Sequence, residues 1–159
     1  MFPDTNRPFN NYTFLKSQQM SFNGPIVIIE DDEDDQEFYT NTLSGLAIEN
    51  EVIYFDAAEA AYKFLEETKK KPFLIICDIN LPGISGIEFK RKIHENPLLK
   101  KKSIPFIFLT TSSDKNTVVA AYEMMVQGYF VKPNSVTELS TLLDQIISYW
   151  KVCKHPNSI

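Results

Sequence analysis

Five apolar residues in a row, Phe73-Leu-Ile-Ile-Cys77, run directly into a carboxylate, Asp78, and then into a loop signature, Asn80-Leu-Pro-Gly83. An apolar run without alternation, bounded by turn residues, suits a strand buried on both faces of a parallel sheet. Such a strand demands helices above and below it, and so limits the chain to a layered α/β arrangement. The acid at its end has two readings. One is a cap for the helix that Gly86 opens. The other is a carboxylate at the carboxyl edge of the sheet, where open α/β folds put their sites. Asp78 alone does not choose between them.

The rest of the chain repeats the same rhythm. Ile26-Val-Ile-Ile29 is a β-branched run that ends in six consecutive acids, Glu30 to Asp35. A helix with Phe38, Leu43 and Leu46 follows, closing near Gly45. Val52–Phe55 is the second strand, and Asp56 with Glu59 reads as a capping box for a helix carrying Ala57, Ala60, Ala61, Phe64 and Leu65. The third strand is Phe73 to Asp78, and its helix spans about Gly86 to His94. Asn96-Pro97 breaks that helix, and Lys100 to Lys102 reads as a solvated loop. Ile104 to Leu109 is the fourth strand, ending in Thr110; its helix carries Val118, Val119, Tyr122, Met125 and Val126. The fifth strand, Tyr129 to Val131, ends in Lys132-Pro133. The fifth helix carries Leu139, Leu142, Leu143, Ile146, Ile147 and Trp150. Right-handed crossovers then predict a doubly wound, five-stranded parallel sheet of order 2-1-3-4-5, flavodoxin-like, with helices on both faces.

That order makes strands one and three neighbours. Glu30, Asp31 and Asp78 therefore crowd together, and each close pair repels by about 4 kcal/mol at an effective dielectric of 20. A cation relieves that repulsion, and all-oxygen ligands with open positions suit Mg²⁺. Glu33, Asp34 and Asp35 read instead as the solvated, dipole-favoured first turn of a helix. An Asp beside a cation can attack phosphorus and become an aspartyl phosphate. Thr110 and Lys132, at the ends of strands four and five, offer the phosphoryl oxygens a hydroxyl and a point charge.

Bulk properties exclude other classes. A net charge of -5 over 159 residues argues against broad nucleic-acid affinity. No run is long and apolar enough for a membrane span, and the N-terminus has no signal-peptide pattern. Cys77 and Cys153 have no metal or redox spacing, and read as reduced thiols of a cytoplasmic protein. His94 and His155 read as surface residues. Residues 1–23, rich in Asn, Pro, Phe and Ser, are expected to be a flexible segment, the alternative being a segment docked on the domain; Met20 is an alternative start. The folded domain is expected over 24–154, with 155–159 a tail.

With these pieces in place, the chain resembles the receiver domain of two-component response regulators over about Gly24 to Lys151. The matching pieces are Val27-Ile-Ile-Glu-Asp31, Cys77-Asp-Ile-Asn-Leu-Pro-Gly83, Ser85-Gly-Ile87, Pro105-Phe-Ile-Phe-Leu-Thr110 and Tyr129-Phe-Val-Lys-Pro133. The resemblance implies that Asp78 is the phosphoacceptor, Asp31 a direct Mg²⁺ ligand, Glu30 an outer acid, and Asn80 a ligand through its carbonyl. Asp32 falls one residue past the matched pair of acids. Thr110 and Lys132 would read the phosphoryl group, Tyr129 would be the aromatic switch, and the Lys132–Pro133 peptide would be cis. Donor partners would be a histidine kinase or phosphotransfer protein. The protein would be no enzyme beyond its own phosphotransfer and autodephosphorylation.

Two departures stand out. Thr111 follows the switch threonine, where a small residue is usual, and Met125-Val126 replaces a common Gly-Ala pair. The latter, the stretch from Pro97 to Ser103 and the ending Ser148-Tyr-Trp-Lys151 are similar to stand-alone regulators of bacterial phytochromes and hybrid kinases. No output domain is expected after the fifth helix, and the signal is expected to leave by contact with a downstream protein. A homodimer through the fourth helix, fifth strand and fifth helix is one such route. Its expected anchors are Ile146, Tyr149, Trp150 and Cys153; the alternative is that Trp150 folds back on its own core. Rival classes fit worse. A phosphatase of the haloacid dehalogenase type needs a second Asp where Asn80 stands. A flavin module needs a phosphate loop where six acids stand, and no P-loop is present. A degenerate receiver that acts only as a binding platform is set aside because every required residue is present.

Overall fold

A computed structural model describes residues 23–154. The expectations for residues 1–22, for 155–159 and for His155 lie outside the described residues. In chain order the elements are β1 (Ile26–Ile29), α1 (Glu33–Ser44), β2 (Val52–Phe55), α2 (Ala58–Glu67), β3 (Leu74–Cys77), α3 (Gly86–Glu95), α4 (Pro97–Lys102), β4 (Phe106–Thr110), α5 (Lys115–Glu123), β5 (Gly128–Val131) and α6 (Val136–Val152). All strand pairs are parallel and the order is β2-β1-β3-β4-β5, as the rhythm of the sequence predicts.

Strand alternation splits the apolar runs between two cores. Val27, Ile29, Ile75, Cys77, Phe106 and Phe108 pack on one face, against Ala61, Leu65 and Phe89 from α2 and α3. Ile26, Ile28, Leu74, Ile76, Ile107 and Leu109 pack on the other, against Leu43 of α1 and Leu139, Leu143 and Ile147 of α6. Both faces of β1, β3 and β4 are thus covered, which is why these segments carry no polar alternation. In register, Ile29 lies beside Cys77, so Glu30 and Asp78 leave the sheet side by side.

Local details differ from the sequence reading in several places. The Asp56–Glu59 capping box does not form. Ala57 is the N-cap of α2 with no side-chain cap bond, and the Glu59 carboxylate reaches across to accept from the Ile84 amide at 3.3 Å. Lys100 to Lys102 belong to a short helix rather than a loop. The Asn96 carboxamide oxygen accepts from the Leu98 and Leu99 amides, Pro97 sits in the first turn, and Leu99 is buried. Strand β4 begins at Phe106, after Pro105, which has no N–H to give to a ladder. On α5, Val119 and Tyr122 face solvent, and Ala121 is its one buried residue.

The Lys132–Pro133 bond is trans, not cis, since no described peptide is cis. A tertiary X–Pro amide still prefers trans by about 0.5–1 kcal/mol. The register of β5 and the long lysine stem bring the ammonium to the acids without a reversal of the chain. Trp150 packs partly against the α1–α6 core, and Ile146 is buried within it. Tyr149 alone of the four expected anchors is exposed.

Candidate functional site

The site lies where β1, β3, β4 and β5 end. Hydrophobic burial holds the strands in register, so each strand end presents a polar residue at one edge. Oxygens of Glu30, Asp31 and Asp78 lie within 4.8 Å of one another. Glu30 is 1% exposed and Asp78 9%, whereas Asp31 stands in solvent. Among the described residues the Asp31 carboxylate makes no hydrogen bond or ion pair. The Asp78 carboxylate is fixed by its own loop: Oδ1 accepts from the Ile79 amide at 2.6 Å and the Asn80 amide at 3.2 Å. Oδ2 lies 3.8 Å from the Lys132 ammonium, close enough for attraction but beyond a hydrogen bond.

Lys132 is the buried cation of the cluster. Its Nζ donates to Glu30 Oε2 at 2.7 Å and to Asp35 Oδ2 at 2.6 Å. Burial alone would lower its pKa. The hydrogen bonds to Asp35 and Glu30 outweigh that, and hold the ammonium above its ordinary value. Burial likewise pushes Glu30 above the ordinary carboxylate range, and the Lys132 contact pulls it partly back. Short contacts to Glu30 and Asp35 on both sides set the position of the ammonium.

Two participants were not legible in the acid run. The acid run places Asp35 in a solvated first turn, yet its side chain reaches Lys132. The cause is the helix start: Asp32 caps α1 by accepting from the Asp34 and Asp35 amides, which turns Asp35 toward the cleft. Asp32 is thereby a cap, and its place beside the acid pair is structural. Tyr39, one turn further on, is 1% exposed and lies with its ring 5.8 Å below Lys132 Nζ. Burial, and then the charges of Glu30, Asp78 and Asp35, hold its phenol well above the ordinary range. The only hint in sequence was a large residue one helical turn after Asp35.

Thr110 is fully buried at the end of β4, and its hydroxyl accepts weakly from the Ser112 amide at 3.4 Å. Tyr129 is half-buried. Its hydroxyl donates to the Ser112 carbonyl at 2.8 Å, and its ring lies 6.2 Å from that of Phe108. Asn80 is exposed in the loop after Asp78. Thr111 is exposed and lines the groove beside Lys132, Pro133 and Asp35.

Residues 26–144 match the response regulator receiver domain family. Response regulator Rcp1 of Synechocystis sp. is 34% identical over 130 residues, which cover 79% of this chain and 87% of that protein. The crystal structure of Rcp1 in its Mn(2+)-bound form superposes with a TM-score of 0.72 at 32% identity, covering 84% of this chain and 99% of that one. The phosphorylated cyanobacterial phytochrome response regulator RcpA gives a TM-score of 0.76 at 25% identity, covering 84% and 98%.

Proposed function

The chain belongs to the response regulator receiver family, and from that premise we propose that it accepts a phosphoryl group on Asp78 and passes the signal on by protein contact. The observation that carries this reading is the oriented Asp78 carboxylate beside a buried lysine and two further acids. The backbone amides of Ile79 and Asn80 hold Oδ1, which leaves Oδ2 as the nucleophile. Oδ2 attacks the phosphorus of a phosphohistidine on a kinase or phosphotransfer protein. A P–O bond forms, the P–N bond breaks, and the histidine nitrogen keeps the electron pair and takes a proton.

The donor set fits Mg²⁺, because hard carboxylate oxygens surround a site in which Asp31 has no other partner among the described residues. Glu30, Asp31, Asp78 and the Asn80 carbonyl would hold the ion, which supplies neutralisation of charge on the phosphoryl oxygens. Lys132 adds a second positive charge, in place before any reaction begins. Thr110 donates its hydroxyl to the product. Once Thr110 has moved, Tyr129 gives up its bond to Ser112 and turns inward. This biases the α5–β5–α6 face between two states. That face exposes Val119, Tyr122 and Tyr149, and is the proposed surface for a downstream partner or a second copy. The receiver is taken to span 24–154. No described helix is long and apolar enough to cross a membrane, and a cytoplasmic site of action follows from the kinase partner. Phosphotransfer to itself and autodephosphorylation are its only chemistry.

Incubation with acetyl phosphate and Mg²⁺ should add one phosphoryl mass to the wild type and none to Asp78→Asn. Equal labelling of the variant overturns the assignment. Sedimentation of the wild type and of Tyr149→Glu, with and without phosphodonor, tests the dimer: a wild type that stays monomeric in both states leaves only a heterologous partner.

A further inference from the structure

A second polar group is buried on the same side of the sheet as α2 and α3, away from the phosphoacceptor. Lys90, on α3, is 7% exposed. Among the described residues its ammonium has no carboxylate, carbonyl or hydroxyl partner; it lies 5.1 Å above the ring of Phe106. Burial pushes its pKa down. A buried cation with only a ring for company is costly, and structures retain few of them.

Lys90 is also part of the lining of a cleft of about 310 Å³ at the amino-terminal edge of β3 and β4. That volume falls within the range of small-molecule sites, about 300–1,000 Å³. Ile75, Ile93 and Phe106 give it apolar walls, Lys100 and Gln127 stand among its lining residues, and no lining residue is acidic. The cleft thus pairs an apolar interior with uncompensated positive charge, although the chain as a whole carries -5.

We propose that this cleft binds a small amphipathic carboxylate, with the carboxylate on Lys90 and an alkyl body against Ile75, Ile93 and Phe106. The carboxylate supplies the missing hydrogen-bond acceptor, and the alkyl body removes apolar surface from water. The competing account is a lysine that only threads its ammonium toward the cleft mouth, which calls for no ligand. The site shares no residue with the Asp78 cluster, so it stands or falls independently of phosphotransfer.

Sodium octanoate is the probe, with octan-1-ol as its uncharged counterpart. Methyl NMR of the full chain reads Ile75, Ile93 and Met125. Octanoate should shift these resonances saturably in the wild type, and bind about tenfold or more tighter than octan-1-ol. Lys90→Met, which keeps length and apolar character, should weaken octanoate by a similar factor and leave octan-1-ol unchanged. The proposal fails if octanoate gives no saturable shift, if it binds no tighter than octan-1-ol, or if a folded Lys90→Met binds it equally well. The comparison of the two probes on the wild type keeps the test decisive should the variant not fold.

Discussion

Replacing Lys132 with Met removes the cation on which the buried acids depend and keeps most of the stem's volume. At an effective dielectric of 20, the 2.7 Å contact with Glu30 is about 6 kcal/mol of gross attraction, and the 3.8 Å approach to Asp78 about 4. Desolvation of the groups offsets most of this in the wild type. Once the partner is gone, the desolvation of Glu30 stands alone. Glu30 is then left with one backbone bond, from the Asp32 amide at 3.2 Å. Breaking a buried pair in this way costs about 3–5 kcal/mol. The loss depends on pH, because Glu30 already sits above its ordinary value of 4.5 and moves further up without Lys132. A folded acid with a raised pKa binds protons more tightly than the unfolded chain does. Stability is therefore greatest below the ordinary value and falls as pH rises through the raised one. Lys132 itself, raised above 10.5, contributes constantly across this window and adds no slope. Urea denaturation followed by circular dichroism should show a small deficit for the variant at about pH 5 and the full deficit at about pH 7.5. A deficit below about 1 kcal/mol at the higher pH, or one equal at both, would refute the claim that Lys132 holds a buried charge.

Other substitutions probe separate joints of the structure. Asp35→Asn should change stability by less than about 1 kcal/mol, because Asp35 is partly solvated, yet should speed labelling by acetyl phosphate by freeing Lys132; slower labelling contradicts this. Gly86→Ala drives a Cβ into the Asp78 carbonyl oxygen and to 3.0 Å from the Phe108 ring, so it should cost about 2–3 kcal/mol or more in a urea melt. A variant as stable as the wild type would mean that this approach is not close in solution. Met125 has a left-handed φ of 55, which costs a side-chain-bearing residue about 1–2 kcal/mol. After the greater unfolded entropy of glycine is subtracted, Met125→Gly should gain about 0.5–1 kcal/mol; a loss of more than about 1 would show that the exposed Met side chain stabilises the fold.

The sheet was legible because its central strands are buried on both sides, so their sequences carry almost nothing but apolar residues. Each strand then ends on the polar residue that matters: Glu30, Asp78, Thr110 or Lys132. Side chains that reach the site from a helix were not legible. Whether Asp35 points to solvent or to Lys132 depends on how Asp32 sets the rotation of α1, a difference of one residue in the cap. Tyr39 looks like any core aromatic until the helix is in place. Lys90 looks like a surface lysine, since a charge at a helical position carries no mark of burial. Pro133 invites a cis reading, and only the register of β5 shows that the lysine reaches the acids without it. The left-handed turn at Met125 gives physical sense to the glycine expected there.

Trp150 is the chain's one tryptophan. It sits against the α1–α6 core, with the ring of Tyr149 edge-on at 5.1 Å. The molecule thereby carries a built-in optical reporter that is remote from the phosphoacceptor and specific to α6. The site's own aromatics, Tyr39 and Tyr129, emit weakly beside it. Emission that changes as Asp78 is labelled registers the arrival of the signal at the far face of the sheet. Emission that stays constant through complete labelling says that the signal has stopped at β5.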